Sequence, residues 1–175
     1  MFTIYDLPNK LIRILSNTKH SSVYGDLSPY HMEDSLLSHI LLVQHAVQHF
    51  YIDSYSLSKE SFNKVALLHD IGKPESVRYT DDGKRIYGGH EGVSFYKSLN
   101  FNDTFNLTDS ELKLIASHGD TWKFNRDLTR FSSDDDFEYD VDYNYNCDEH
   151  GRRKSIPSTV SKTFDIDLME AYKRA

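Results

Sequence analysis

His69-Asp70-Ile71-Gly72-Lys73-Pro74 sets an imidazole and a carboxylate side by side where a helix stops. Upstream, Phe62, Val65, Ala66 and Leu68 recur at helical spacing, and Gly72 and Pro74 supply the usual stop signals. The doublet therefore sits at a helix C-terminus, where two adjacent side chains can converge on one ion. Neutral imidazole and carboxylate are good ligands for Mn, Fe, Co, Ni or Zn, whereas Mg prefers a shell of oxygens. A His-Asp pair by itself arises often by chance, so its meaning rests on what surrounds it.

Before the doublet, Leu36, Ile40, Val43, Val47 and Phe50 recur at three and four residues, which predicts a helix from Glu33 to Phe50 with one buried stripe and His39 at its edge. His45 and His49 also have a ligand spacing. At about 100° per residue they point away from the stripe, which predicts surface positions for both. Residues 1–30 carry a short helical pattern around Leu11, Ile12 and Leu15, then a Ser-, Gly- and Pro-bearing loop from Ser21 to Pro29. They read as an N-terminal extension packed on a single folding unit of residues 31–175.

After the doublet, Asp82-Gly83 lies between Val77-Arg78-Tyr79 and Arg85-Ile86-Tyr87, predicting a short hairpin or an ordered loop beside the site. Helices are expected over His90 to Leu99 and over Asp109 to Ser117, where Thr108 and Glu111 form a capping-box pattern. Two more are expected between Asp135 and Cys147 and near Asp165 to Lys173. The fold class is all-α.

Composition narrows the chemistry. The chain has 175 residues, 38% hydrophobic and 27% charged, which suits one ordered domain able to bury a core without staples. Cys147 is the only cysteine, so any metal must rest on His and carboxylate, and nine histidines allow it. A formal charge of −7 works against wrapping a long nucleic acid but accepts a small anion or one strand end. No apolar run reaches a membrane span of roughly 20 residues, and Met1 to Lys10 lacks the order of a signal peptide, so a cytoplasmic protein with no membrane partner is expected. Monomer and dimer are equally compatible with these features.

The ordered set His39, His69-Asp70 and Asp148 resembles the HD phosphohydrolase superfamily, whose pattern is a His, a His-Asp doublet and a distant Asp. The closer resemblance is to the HD domain of bacterial tRNA nucleotidyltransferases and of HD-containing RNA end-repair proteins. His31-Met32-Glu33 is similar to that group's His-Pro-Glu, Gly89-His90-Glu91-Gly92 to its Gly-His-Glu segment, and Asp148-Glu149-His150-Gly151-Arg152 to its Asp-x-x-Gly-Arg. Met32 replaces the proline of that group, and the nucleotidyltransferase head with its paired carboxylates is missing, so CCA addition is not expected.

The resemblance implies an HD-type helical bundle and one or two divalent ions held by His39, His69, Asp70 and Asp148, with His90 and His118 adding ligands for a second ion that Asp70 would bridge. It also implies attack on phosphorus by a water that the cation activates, its pKa lowered toward about 7. Asp70, Lys73 and Arg152 are the candidate catalytic residues: Lys73 matches a lysine that follows the doublet in several HD subgroups and would meet a phosphate oxygen, and Arg152 would clamp the substrate or hold the last helix. His31 and Glu33 would orient a ligating imidazole from behind, or simply cap a helix. Tyr87 and Tyr96 are the first candidates for a nucleobase contact, and Trp122, Phe124 and the tyrosines at 139, 143 and 145 serve packing or stacking.

The expected activity is hydrolysis of phosphomonoesters or phosphodiesters of nucleotides or RNA ends, including 2′,3′-cyclic and 3′-phosphates. Hydrolysis of nucleoside triphosphates or monophosphates by a different HD class is the alternative. A metal-stabilised, non-catalytic module binding nucleic acid or protein is the alternative of another kind.

Overall fold

The computed structural model describes residues 1–20, 35–51, 57–83 and 85–118. These residues are mostly helical: after a 3-10 turn at Ile4–Asp6 come α1 (Asn9–Asn17), α2 (Leu36–Phe50), α3 (Lys59–Leu68), α4 (Lys73–Ser76), β1 (Arg78–Tyr79), β2 (Arg85–Ile86), α5 (His90–Leu99), α6 (Asn102–Phe105) and α7 (Asp109–Ser117). Among the described residues, no helix is long and apolar enough to cross a membrane.

α2 is the central element. Ser35 opens it, its hydroxyl accepting from the Ser38 backbone N–H at 3.1 Å. The sequence predicts one buried stripe, but every residue from Ser35 to Val43 is buried, Leu37, Leu41 and Leu42 included, because both α1 and α3 pack on α2. The wider coverage corrects one expectation: His49 is exposed, but His45 is half-buried rather than on the surface.

Ile4, Leu7, Leu11, Ile12 and Leu15 join the same core as α2, α3 and α7. Phe62 and Phe105 are its largest fully buried side chains, each removing an area from water that is worth about 1.5–3 kcal/mol. The N-terminus is pinned to α3, with Phe2 N–H donating to Glu60 Oε1 at 3.2 Å and Asn63 Nδ2 donating to the Phe2 carbonyl at 2.7 Å.

α3 ends at His69 as expected, but Gly72 and Pro74 do more than stop it. Gly72 caps a new short helix with Pro74 in its first turn, where a missing N–H costs nothing. Gly72 is also where α4 touches α5: its N–H donates to Ser94 Oγ at 2.9 Å, and a Cβ there would stand 2.4 Å from the Ser94 nitrogen and 2.8 Å from the His90 carbonyl oxygen. The ribbon pairs Arg78 with Ile86 and Tyr79 with Arg85, turning through Gly83 at φ +82°. α5 and α7 have the predicted bounds, whereas α6 is too short to carry a hydrophobic repeat and is not anticipated. The loop from Ser21 to Pro29 and the helices expected after residue 134 lie outside the described residues.

Candidate metal centre

Two helices deliver their last residues to one place. At their starts, Glu111 Oε2 accepts from the Thr108 N–H at 2.9 Å in the capping box, and Oε1 accepts from Ser61 Oγ at 2.7 Å and Lys64 Nζ at 3.3 Å. This buried carboxylate ties α7 to α3 near their first turns. At a rise of about 1.5 Å per residue, Ser61 to His69 covers about 12 Å and Glu111 to His118 about 10.5 Å, so the two C-caps arrive almost level. Their rings meet edge-on with centroids 4.9 Å apart.

Each ring is turned by its own backbone. His69 Nδ1 bonds the Ala66 carbonyl at 2.8 Å, His118 Nδ1 the Ile115 carbonyl at 2.8 Å, and His90 Nδ1 the Tyr87 carbonyl at 2.7 Å. A carbonyl oxygen only accepts, so Nδ1 is the donor in each ring and Nε2 is the nitrogen turned to the site; in the neutral form of a ring that nitrogen carries no proton. Burial is the largest influence on His118 and lowers its pKa below the ordinary 6.5; Asp70 opposes this, and the neighbouring His69 and His90 add to the lowering. His118 is thus the neutral, ligating form at neutral pH.

All these nitrogens converge on Asp70. Oδ1 lies 3.1 Å from His90 Nε2 and 3.3 Å from His118 Nε2, and the two nitrogens are 3.0 Å from each other. Oδ2 lies 3.3 Å from His39 Nε2, 3.4 Å from His69 Nε2, 2.6 Å from Lys73 Nζ and 3.9 Å from His20 Nε2. Burial, the largest influence, pushes the Asp70 carboxyl up; the surrounding His69, the Lys73 ammonium, His118 and His39 together outweigh it and hold the group well below the usual carboxylate range.

Oδ1 is buried and has no hydrogen-bond donor. With both rings neutral, a carboxylate oxygen facing these two nitrogens leaves three acceptors with no proton among them, an arrangement that a cation relieves. Two buried triads, His20, His39 and Asp70, and His69, Asp70 and His118, each bring their ligand atoms within 4.8 Å of one another and could hold a metal ion. Protein-family models, curated proteins and solved structures yield no match to this chain.

Of the residues singled out by sequence, His39, His69, Asp70, Lys73, His90 and His118 come together. His31, Glu33, Asp148 and Arg152 lie outside the described residues, as do Trp122, Phe124 and the tyrosines at 139, 143 and 145. Lys73 meets Asp70 and His20 rather than standing free for a substrate phosphate, since its ammonium also lies 2.8 Å from His20 Nε2. Tyr87 is half-buried and its hydroxyl donates to the Lys19 carbonyl; burial is the main reason its pKa is raised, which keeps that donor protonated. Tyr96 is exposed.

His20 is the site residue that the sequence does not reveal. It follows α1 in a polar stretch with no periodicity to mark it. It arrives because Lys19 bridges to Ser35 at the start of α2 and the Leu36 N–H donates to the Thr18 carbonyl at 2.8 Å, which stacks the His20 ring 4.2 Å from that of His39.

Proposed function

We propose that this protein is a metal-dependent phosphohydrolase of the HD type, acting on phosphomonoesters or phosphodiesters of nucleotides or RNA ends. The observation that carries the reading is the buried Asp70 Oδ1, which lacks a donor and faces the bare Nε2 atoms of His90 and His118. The order of His39, His69-Asp70, His90 and His118 along the chain supports it, because it matches the order of ligands in the resembled superfamily. The donors are rich in imidazole nitrogen, which favours Mn, Fe, Co, Ni or Zn over Mg. Asp148 is the carboxylate proposed to complete the ligand set.

A divalent ion held there would supply Lewis acidity toward a phosphoryl oxygen and lower the pKa of water toward about 7. The chain's own part is orientation. Asp70 remains ionised because its neighbours outweigh its burial, and the carbonyls of Ala66, Tyr87 and Ile115 keep three Nε2 lone pairs aimed inward. Arg85, half-buried beside Tyr87, is the described cation we assign to a substrate phosphate, and the C-terminal motif proposes Arg152 for the same role.

The test is a substrate panel with protein whose metal content has been verified by elemental analysis: a 2′,3′-cyclic nucleotide, a 3′-phosphorylated oligonucleotide, a nucleoside monophosphate and a dNTP. Turnover of the cyclic nucleotide or the oligonucleotide, stopped by a chelator and restored by Mn or Co, is the expected result. Preferred turnover of the triphosphate or monophosphate would reassign the substrate, and metal-replete protein that cleaves none of the four would overturn the enzymatic reading.

A further inference from the structure

His20 and Lys73 belong to a feature that the ligand order along the chain does not contain. Lys73 Nζ stands 2.6 Å from Asp70 Oδ2 and 2.8 Å from His20 Nε2, and an ammonium has donors only, so His20 Nε2 must be the acceptor. His20 therefore turns an accepting ring nitrogen to the site, where His69, His90 and His118 also turn their Nε2 atoms. It lies 3.9 Å from Asp70 Oδ2, and His39 Nε2 lies 3.3 Å from the same oxygen. Ligands bound at about 2.0–2.2 Å to one cation stand about 3–4 Å apart, the spacing at which His20 and His39 stand from Asp70 Oδ2, and the lysine ammonium sits between that oxygen and His20.

The surroundings suit such an exchange. His20, His39 and Asp70 are all buried and come from different parts of the fold, so the pocket is held independently of Lys73. Lys73 reaches in from α4 on a flexible four-carbon stem, and the ring of Tyr87 lies 5.6 Å from its Nζ, offering the ammonium a second contact if it withdraws. No comparable internal cation stands on the Oδ1 side, where Asp70 meets only imidazoles among the described residues.

We propose that His20, His39 and Asp70 Oδ2 form a cation position held in this structure by the Lys73 ammonium, and that a divalent transition-metal ion and Lys73 compete for it. The inference rests on the metal-centre reading above and adds to it one ligand, His20, and one competitor, Lys73. Its consequence is inequality: an ion on the Oδ1 side binds without displacing anything, whereas an ion on the Oδ2 side must expel the lysine.

The experiment titrates the chelator-stripped protein with Co(II), reading heat, the visible ligand-field absorption and bound metal after dialysis. Wild type is compared with Lys73→Met, His20→Ala and the double variant, each checked for helical content, with Lys73→Gln replacing Lys73→Met if the latter is unfolded. Lys73→Met should tighten the second binding event at least 10-fold, and His20→Ala in the same chain should erase that gain. A second event unchanged by Lys73→Met, or a gain that survives the loss of His20, overturns the proposal while leaving the centre itself standing. Absence of Co(II) binding in all four proteins overturns both.

Discussion

The two oxygens of Asp70 share one charge and face different surroundings. Oδ2 meets a lysine from the next turn of chain at 2.6 Å, whereas Oδ1 meets two imidazole nitrogens delivered by α5 and α7 and no donor. On one side the polypeptide supplies its own cation through a local contact. On the other it brings distant elements together and leaves the charge uncompensated. Buried polar groups ordinarily find partners, and an orphan held by three separate helix ends points to a binding role rather than a structural one.

The sharpest way to break this comparison is to remove the charge that both sides share. Asp70→Asn keeps the shape and should abolish tight metal binding on either side, with hydrolysis falling by at least about 10³-fold, the scale of losing a main electrostatic group in an active site. Elemental analysis and steady-state rates on folded variant check it; an active, metal-replete Asn variant would refute the centre.

Gly72→Ala attacks the seam between the two sides. The added methyl would stand 2.4 Å from backbone of α5 beside His90, so α4 and α5 must separate. Overpacking of this kind costs about 1–3 kcal/mol, to be read from the denaturant midpoint. Metal affinity should fall more on the Oδ1 side, where His90 contributes, than on the Oδ2 side.

These effects also show what could be read in advance. The doublet, the helix ahead of it, α5 and α7 were legible because amphipathic repeats, a capping box and Gly and Pro breakers are local signals. His90 and His118 carry no mark in composition or spacing; only the resemblance pointed to them. His20 escaped altogether, since its place depends on a single bridge between the end of α1 and the start of α2. Lys73 reads in the sequence as a cation for a substrate phosphate, because nothing there says that a second acceptor, 53 residues earlier, waits beside it. The half-burial of His45 was likewise hidden, as periodicity reports one packed face and α2 has more than one.

A smaller effect separates the two kinds of group by pH. His118 has its pKa lowered in the fold, so between that value and the ordinary 6.5 the unfolded chain binds a proton that the folded chain does not, and stability is lost as pH falls below 6.5. Asp70 has its pKa depressed, so its contribution is intact above the ordinary 3.8 and is lost only as pH falls through the still lower folded value. Metal-free protein should therefore lose stability through imidazole as pH falls below 6.5, at no more than about 1.4 kcal/mol per pH unit for this one group. His118→Gln should flatten the slope in chemical denaturation over that range; an unchanged slope would mean that His118 is not held neutral.

The smallest expected change concerns the same α4–α5 seam at its surface. Glu75 and Lys97 pair at 2.8 Å across it, but the glutamate side chain is 53% exposed. Water screens such a pair and both long side chains lose freedom in forming it, so Glu75→Gln should cost no more than about 0.5 kcal/mol. It should leave Co(II) affinity on both sides of Asp70 unchanged, unlike Gly72→Ala, although the two substitutions sit three residues apart on one short segment. If the two variants weakened metal binding alike, the ion pair rather than the glycine contact would be what holds His90 against Asp70.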